Sequence, residues 1–197
     1  MSVRIGRRLI VVPTGVDPPL DRDLVPIRID GRRAFGDGTH PTTRLCLQAI
    51  ERHLEPGARL LDLGTGTGIL SIAAAKLGVG PILALDNDPE AVRAARENLA
   101  LNRLGDAVRV EQGSLANILA GEFGFVQTPF VVANILAGVI TNFFEEGLTR
   151  ILTPGGWVIL SGILLAQTPE IRTRLQWNGL KQLAQEQIDD WVCIIAR

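Results

Sequence analysis

The residues with the clearest chemical potential are three glycines and an aspartate that follow two apolar runs. Gly64, Gly66 and Gly68 directly follow the first run, and Asp86 ends the second, 22 residues after Gly64. Glycine lets a backbone turn tightly and lets a ligand approach where a Cβ would collide. A carboxylate at the position of Asp86 can accept hydrogen bonds from both hydroxyls of a ribose. Alternatively, Asp86 is an ordinary loop residue without a ligand, since Asp88 already caps the next helix.

The spacing of the glycines excludes two common nucleotide sites. A dinucleotide fingerprint needs Gly-x-Gly-x-x-Gly, but the third position falls on Ile69 counted from Gly64 and on Ser71 counted from Gly66. No Gly-Lys-Ser/Thr follows, so a Walker loop is excluded as well. What remains is a cofactor that contains adenosine and no pyrophosphate, which describes S-adenosylmethionine.

Apolar runs alternate with helical patterns along the chain, and this alternation predicts the elements that position these residues. Such alternation is typical of βαβ units and a parallel sheet. The pattern predicts strands at 58–63, 81–85, 108–112, 129–133 and 157–161, and helices at 69–77, 89–99, 137–152 and 168–177. Two last runs, 180–186 and 190–196, are joined by a turn too short for a parallel crossover. The sequence therefore predicts an α/β fold, a Rossmann-like mostly parallel sheet with a C-terminal antiparallel hairpin.

Residues ahead of this pattern contain two short predicted strands, 8–13 and 25–29, separated by the loop at Pro18-Pro19. We predict a short N-terminal extension over 1–34 and one larger domain over 35–197. A chain of 197 residues with 46% hydrophobic content suits one such core.

Composition restricts the function further. The net charge of -1 argues against binding nucleic acid by bulk electrostatics. The two cysteines, Cys46 and Cys193, have no metal-ligand spacing and fit a reducing cytoplasm, so we predict no metal. The start of the chain lacks the apolar region of a signal peptide or a membrane span, and we expect a soluble cytoplasmic protein that does not bind membranes. With no tyrosine in the chain, a tyrosine acid or base is ruled out.

Three segments together point to one enzyme family. They are 35–44 (FGDGTHPTTR), 62–70 (DLGTGTGIL) and 133–137 (ANILA). Through them the chain closely resembles the PrmA family, the lysine methyltransferases of the ribosomal protein L-eleven. The resemblance continues in residues 7–8, 11–13, 160–164 and Trp191, so it spans nearly the whole chain. It implies a class I S-adenosylmethionine-dependent methyltransferase that acts on amino groups of a protein.

The chain departs from that family in two ways. Family members carry an N-terminal substrate-recruiting domain, and this chain begins near the linker that follows it, so the resemblance covers the catalytic domain. A separate recruiting protein is then a possible partner. The family usually has threonine where this chain has Asp37, which places an additional carboxylate near the expected cofactor site.

By position, the resemblance implies that Thr43, Gly64, Asp86 and Asn134 contact S-adenosylmethionine, and Gly66 belongs to the same glycine turn. Asn134 ends the fourth predicted strand, where open α/β sheets place their chemistry. Its amide can orient an incoming amine. Thr43 would begin a helix whose N-terminus faces the cofactor's carboxylate, and simple capping is the alternative.

Two further residues of segment 35–44 have two interpretations each. His40 is either a proton acceptor in catalysis or a residue that stabilises the loop. Phe35 packs either on the cofactor or only on the loop. We predict Asn134 and His40 as catalytic candidates, and we group Phe35 with the cofactor-binding residues.

Other function classes make different demands on the fourth strand. An amino-methyltransferase of nucleic acids is expected to have Asn-Pro-Pro and then an aromatic residue to stack a flipped base. This chain has Asn134-Ile135-Leu136-Ala137 instead, so we expect no direct binding of nucleic acid. A small-molecule methyltransferase with the same cofactor site is the alternative to a protein methyltransferase. A non-catalytic binding module is the least supported.

Overall fold

The computed structural model describes residues 2–124 and 127–197. Its strands are β1 (Val3–Ile5), β2 (Leu9–Pro13), β3 (Val25–Ile29), β4 (Leu60–Leu63), β5 (Ile82–Asp86), β6 (Val108–Gln112), β7 (Thr128–Asn134), β8 (Leu152–Leu164), β9 (Gln182–Ile188) and β10 (Trp191–Ala196). Its helices are α1 (Pro41–His53), α2 (Ile69–Lys76), α3 (Pro89–Leu101), α4 (Leu115–Leu119), α5 (Ala137–Glu146) and α6 (Thr168–Trp177). In these two ranges, no helix combines the length and the apolar content that a membrane crossing needs.

A seven-stranded sheet forms the centre, with the strand order β6-β5-β4-β7-β8-β10-β9. The five strands from β6 to β8 are parallel to their neighbours. Strand β10 is antiparallel to both β8 and β9. The predicted parallel sheet and its C-terminal antiparallel hairpin are therefore confirmed.

Helices cover both faces of this sheet. Successive residues of a strand point to opposite faces, and along β4 Leu60 packs with α1, α2 and α3, whereas Leu61 packs with α4, α5 and α6. Both side chains are fully buried. Because the strands are buried on both faces, their sequences are continuous apolar runs.

The N-terminal residues form a second, three-stranded sheet in the order β1-β2-β3. Strand β1 was not predicted from the sequence. It has only three residues and pairs antiparallel with β2. The inner residues of this sheet, among them Leu9 and Ile27, belong to the same apolar cluster as Leu45 and Ile50 of α1. The small sheet thus shares its core with one face of the large sheet.

The predicted helix over 137–152 is too long. Helix α5 ends at Glu146 because Gly147 has a φ of 108° and its N–H caps the carbonyl of Phe143, a left-handed ending that favours glycine. A short 3₁₀ turn follows, Leu148–Ile151. Strand β8 then begins before the Pro154-Gly155-Gly156 segment and runs through it.

Candidate active site

Six of the seven predicted site residues lie around one cavity of about 530 Å³ at the carboxyl edge of the sheet. Strands β5, β4 and β7 are neighbours, and they end at Asp86, at the glycine turn and at Asn134. Parallel strands of an open α/β sheet bring their carboxyl ends to one edge, where ligands bind. The cavity is lined by Phe35, His40, Gly64, Gly66, Asp86 and Asn134, with further residues.

The glycine turn is packed against the chain itself. Gly64 and Gly66 have φ angles of 74° and 55°, which favour glycine. A Cβ at Gly66 would lie 2.4 Å from the carbonyl oxygen of Phe35, and a Cβ at Gly64 would lie 2.4 Å from Cγ2 of Ile135. The close approach that the sequence analysis assigned to a ligand is therefore made, at these two positions, by the loop and by the residue after β7.

Asp86 holds the turn and keeps capacity for a ligand. Its Oδ2 accepts a hydrogen bond from the Gly66 N–H at 2.9 Å, and its Oδ1 accepts one from the Asp88 N–H at 3.1 Å. A carboxylate has about four lone-pair sites, so both oxygens can accept further hydrogen bonds. Asp88 separately caps α3 by accepting from the Glu90 N–H at 2.9 Å. The position of Asp86 supports the ribose contact, which stays a prediction.

Asn134 presents an unused acceptor. Its Nδ2 donates to Oγ1 of Thr43 at 3.3 Å, while its Oδ1 is buried and has no hydrogen-bond partner among the described residues. A buried polar atom without a partner is costly, and a site that binds ligands is where such an atom is expected. Asn134 lines the cavity, so the unpaired Oδ1 belongs to a side chain that borders it.

Thr43 lies behind Asn134. It is fully buried and is not among the residues that line the cavity, whereas Thr42 is. Helix α1 begins at Pro41, two residues before the predicted start, and its N-cap is His40. In this structure Thr43 holds the Asn134 amide, and its predicted contact with the cofactor stays a prediction.

His40 is engaged on three sides. Its Nδ1 accepts from the Thr42 N–H at 3.3 Å and lies 2.8 Å from Oγ1 of the same residue. Its ring centroid lies 5.2 Å from that of Phe35 and 5.0 Å from that of Trp191. Because an N–H can only donate, the neutral imidazole carries its proton on Nε2. This geometry favours the stabilising interpretation of His40 over proton acceptance.

The loop that carries Phe35 is fixed to the glycine turn by Thr67. The Thr67 N–H donates to the carbonyl oxygen of Phe35 at 3.0 Å, and Thr67 Oγ1 donates to that of Gly36 at 2.6 Å. Asp37 Oδ1 accepts from both the N–H and the hydroxyl of Thr39, at 2.9 and 2.7 Å. The additional carboxylate noted in the sequence is thus used within the loop.

Asp62 was noted in the sequence only as part of the glycine motif, yet it supports the turn from beneath. It is fully buried, and its Oδ2 accepts from Thr65 Oγ1 at 2.8 Å and from Ser71 Oγ at 2.6 Å. Burial raises the pKa of this carboxyl from 3.8 to about 6, against the lowering effect of these hydrogen bonds. The buried carboxyl thus accepts two hydrogen bonds through Oδ2, while its Oδ1 has no partner among the described residues.

The charges of the cavity fit the cofactor expected from the sequence. Among the described residues, those that line the cavity include two acids, Asp86 and Asp88, and no lysine or arginine. A dinucleotide or a nucleoside triphosphate would bring phosphates that need donors or cations. S-adenosylmethionine instead brings a cationic sulfonium, ribose hydroxyls and an adenine, for which acids and apolar walls are suitable partners.

Comparison with known proteins gives the family. A family model described as "Ribosomal protein L11 methyltransferase (PrmA)" matches residues 2–197. The chain belongs to the PrmA family. As a PrmA family member it has the class I methyltransferase fold, which confirms the resemblance and the fold class predicted from the sequence.

Comparison with individual relatives points to the same family. The ribosomal protein L11 methyltransferase of Chloroflexus aurantiacus is 41% identical over 99% of this chain and 65% of the relative. That of Bacillus subtilis is 41% identical over 99% of this chain and 61% of the relative. The chain therefore spans less than two thirds of the length of these relatives.

Solved structures give the same fold. A crystal structure of a ribosomal protein L11 methylase from Lactobacillus delbrueckii subsp. bulgaricus superposes with a TM-score of 0.89 at 34% identity, covering 100% of this chain and 97% of that chain. A tRNA methyltransferase of Bacillus subtilis has a TM-score of 0.61 at 18% identity, covering 76% of this chain and 64% of that chain. The second likeness concerns the fold alone.

Proposed function

We propose that this chain transfers methyl groups from S-adenosylmethionine to amino groups of a ribosomal protein, with lysine side chains of ribosomal protein L11 as the acceptors. The observation that carries the proposal is Asn134, which lines the cavity and whose buried Oδ1 has no hydrogen-bond partner among the described residues. A neutral carbonyl oxygen accepts from an amine N–H without requiring a charged partner.

On the cofactor side, Asp86 would hold the ribose hydroxyls, and the turn at Gly64 and Gly66, which lines the cavity, would border the adenosyl group. Bound there, S-adenosylmethionine supplies a methyl group that is already activated by its sulfonium. The protein then has to orient the acceptor and exclude water, and it needs little acid–base machinery. This requirement agrees with a cavity in which His40 is committed to capping α1.

On the acceptor side, Asn134 would accept a hydrogen bond from the amine, and apolar residues would surround the lysine stem. Ile135, Leu136, Val139 and Trp191 line this part of the cavity. A free lysine has a pKa of about 10.4, and an apolar surrounding lowers it because burial disfavours the charged form. The neutral amine, which is the nucleophile, is thereby favoured.

Substrate recruitment belongs to the same proposal. The relatives named ribosomal protein L11 methyltransferase extend beyond the part that this chain spans. We place recruitment of the ribosomal protein outside residues 1–197, in a separate partner or segment, and we place the reaction in the cytoplasm.

Incubation of the purified chain with methyl-labelled S-adenosylmethionine and a cell lysate tests the function, with purified ribosomal protein L11 as a defined acceptor. We expect label on lysine amino groups of L11, located by mass spectrometry of the digested protein. Label confined to small molecules would favour the small-molecule alternative, and label confined to RNA would contradict both protein and small-molecule substrates.

A further inference from the structure

An apolar groove adjoins the cavity on its β8 side. We name it the acceptor groove and define it by Leu136, Gly138, Val139, Asn142, Leu164 and Gln167. Leu136, Val139 and Trp191 line both the groove and the cavity. The two spaces are therefore continuous, and the groove leads away from the edge that holds Asp86.

The walls of the groove expose large apolar side chains. Leu136 is 71% exposed, Val139 is 39% exposed and Leu164 is 38% exposed. Single exposed apolar residues are normal on a protein surface, whereas these three side chains line one groove that adjoins the cavity. The groove thus offers apolar contact to something that reaches the cavity from outside.

The polar groups of the groove are neutral. Among the described residues, those that line it include no charged side chain, and the polar ones are Asn142 and Gln167. Gln167 Oε1 accepts from the Leu164 N–H at 2.9 Å, which leaves its Nε2 available as a donor. Carboxamides match the neutral N–H and C=O groups of a polypeptide backbone, whereas a nucleic-acid strand would bring phosphates that need lysine or arginine.

We infer that the acceptor groove binds the extended polypeptide segment that flanks the methylated residue, and that it prefers a large apolar side chain next to that residue. The inference rests on the proposed function, because the occupant has to present an amine to Asn134 from the side that the cofactor leaves open. Leu136, Val139 and Leu164 are then specificity-determining residues of the reaction.

Gly138 offers a way to fill the groove without disturbing the fold. A Cβ at Gly138 would meet no atom within 4 Å, and the same holds at Gly105, in the exposed loop between α3 and β6. Neither glycine has a left-handed φ. Gly138→Leu therefore places a side chain in the groove, and Gly105→Leu is the matched control at a distant surface.

Binding is measured by calorimetry with the whole chain saturated with S-adenosylhomocysteine, so that no reaction is needed. The probes are two nine-residue peptides with a central norleucine, which replaces lysine but cannot be methylated, flanked by leucine or by serine. We expect the wild type to bind the leucine peptide about tenfold more tightly, a preference set by burial of the flanking side chain. Gly138→Leu should remove this preference, and Gly105→Leu should retain it.

Equal affinity of the wild type for the two peptides, or a preference that survives Gly138→Leu, would overturn the inference. So would tighter binding of a single-stranded RNA oligomer that Gly138→Leu abolishes, since the occupant would then be a nucleic acid. The function is tested separately with the lysine forms of the same peptides. If the binding pattern holds but no label reaches either lysine peptide, the groove stands and the proposed methyl transfer fails.

Discussion

Asp86 and Asn134 both line the same cavity, but their side-chain oxygens differ in chemistry. Asp86 is an acid whose two oxygens already accept from Gly66 and Asp88 and keep further lone pairs. Asn134 is neutral, and its Oδ1 accepts nothing from the described residues. A carboxylate suits hydroxyl donors and a neutral carbonyl suits an amine, so under the proposed function Asp86 would hold the cofactor and Asn134 would also orient the acceptor.

Asp86→Ala should abolish cofactor binding. The variant would remove the two predicted charge-assisted hydrogen bonds to the ribose, each with a contribution of about 1.5–3 kcal/mol, so the Kd for S-adenosylmethionine should rise by about a hundredfold or more. Isothermal calorimetry measures it, and a thermal melt checks that the variant is folded. An unchanged Kd in a folded variant would show that Asp86 does not contact the ribose.

Asp62 should make the stability of the protein depend on pH. Its pKa is raised from 3.8 to about 6, so between these values the folded state binds more protons than the unfolded state, and stability falls as pH rises. A shift of about two pKa units corresponds to about 3 kcal/mol. Asp30, whose pKa is lowered to about 2, titrates below this window.

Asp62→Asn is the variant that isolates this effect, because it keeps the shape and removes the titration. Urea unfolding at pH 4 and pH 7 gives the free energy of unfolding of both proteins. The wild type should lose about 2 kcal/mol relative to the variant between these pH values, because the unfolded carboxyl is already partly ionised at pH 4. A constant difference between wild type and variant would mean that Asp62 does not titrate in this range.

At the scale of elements, two asparagines of α3 bind the backbone at the end of the N-terminal sheet, and one of them also binds the glycine turn. Asn98 is fully buried. Its Oδ1 accepts from the Asp30 N–H at 2.8 Å, and its Nδ2 donates to the carbonyls of Asp30 and Thr67 at 3.2 and 3.0 Å. Asn102, one turn later, accepts from the Arg28 N–H and donates to the Arg28 carbonyl at 3.0 and 2.7 Å. Of the two, Asn98 also holds the turn that borders the cavity.

Asn98→Ala and Asn102→Ala therefore form a matched pair. Both variants should unfold more easily, because each leaves buried backbone groups of β3 or its end unpaired. Only Asn98→Ala frees the Thr67 carbonyl, so it should raise the KM for S-adenosylmethionine by about fivefold or more, with a smaller change in kcat. Steady-state kinetics below the melting temperature of both variants separates the two effects. Equal KM values for Asn98→Ala and Asn102→Ala would mean that Asn98 has only a structural role.

The sequence predicted most elements because their apolar periods are strong. Strand β6 and helix α6 match their predicted bounds, 108–112 and 168–177. Strand β1 is too short to show a period, and the end of α5 depends on the left-handed Gly147. Asn98 gave no signal, since its partners Asp30 and Thr67 are 68 and 31 residues away in the chain.

The sequence also predicted which residues would lie close together, although their roles stay a prediction. Gly64, Gly66, Asp86 and Asn134 line one cavity, as strand ends of a parallel sheet should. The place of Thr43 behind Asn134 could not be read from the sequence, because it depends on which face of α1 turns toward β7. The contact of the His40 ring with those of Phe35 and Trp191 could not be predicted either, because it depends on where β10 places Trp191 in the folded chain.

At the scale of the whole molecule, the N-terminal sheet is part of the main core. The division into an extension over 1–34 and a domain over 35–197 stays a prediction. However, Ile5, Leu9 and Val11 belong to one apolar cluster with helices α1, α2 and α3. Removal of the small sheet would expose that face of the helices, so we regard both segments as one folding unit.

Leu9→Ala tests this unit against Leu20→Ala, a substitution in the same segment. Leu9 is fully buried, whereas Leu20 is fully exposed. Loss of the buried side chain should lower the free energy of unfolding by about 2–5 kcal/mol. Unfolding should remain a single transition, in which cofactor binding and secondary structure are lost together and earlier than in the wild type. The exposed substitution should change it by less than about 0.5 kcal/mol. Denaturant unfolding followed in parallel by far-ultraviolet circular dichroism and by cofactor binding measures both. If Leu9→Ala leaves the cofactor-binding transition in place, the N-terminal sheet folds separately, and residues 35–197 form a domain on their own.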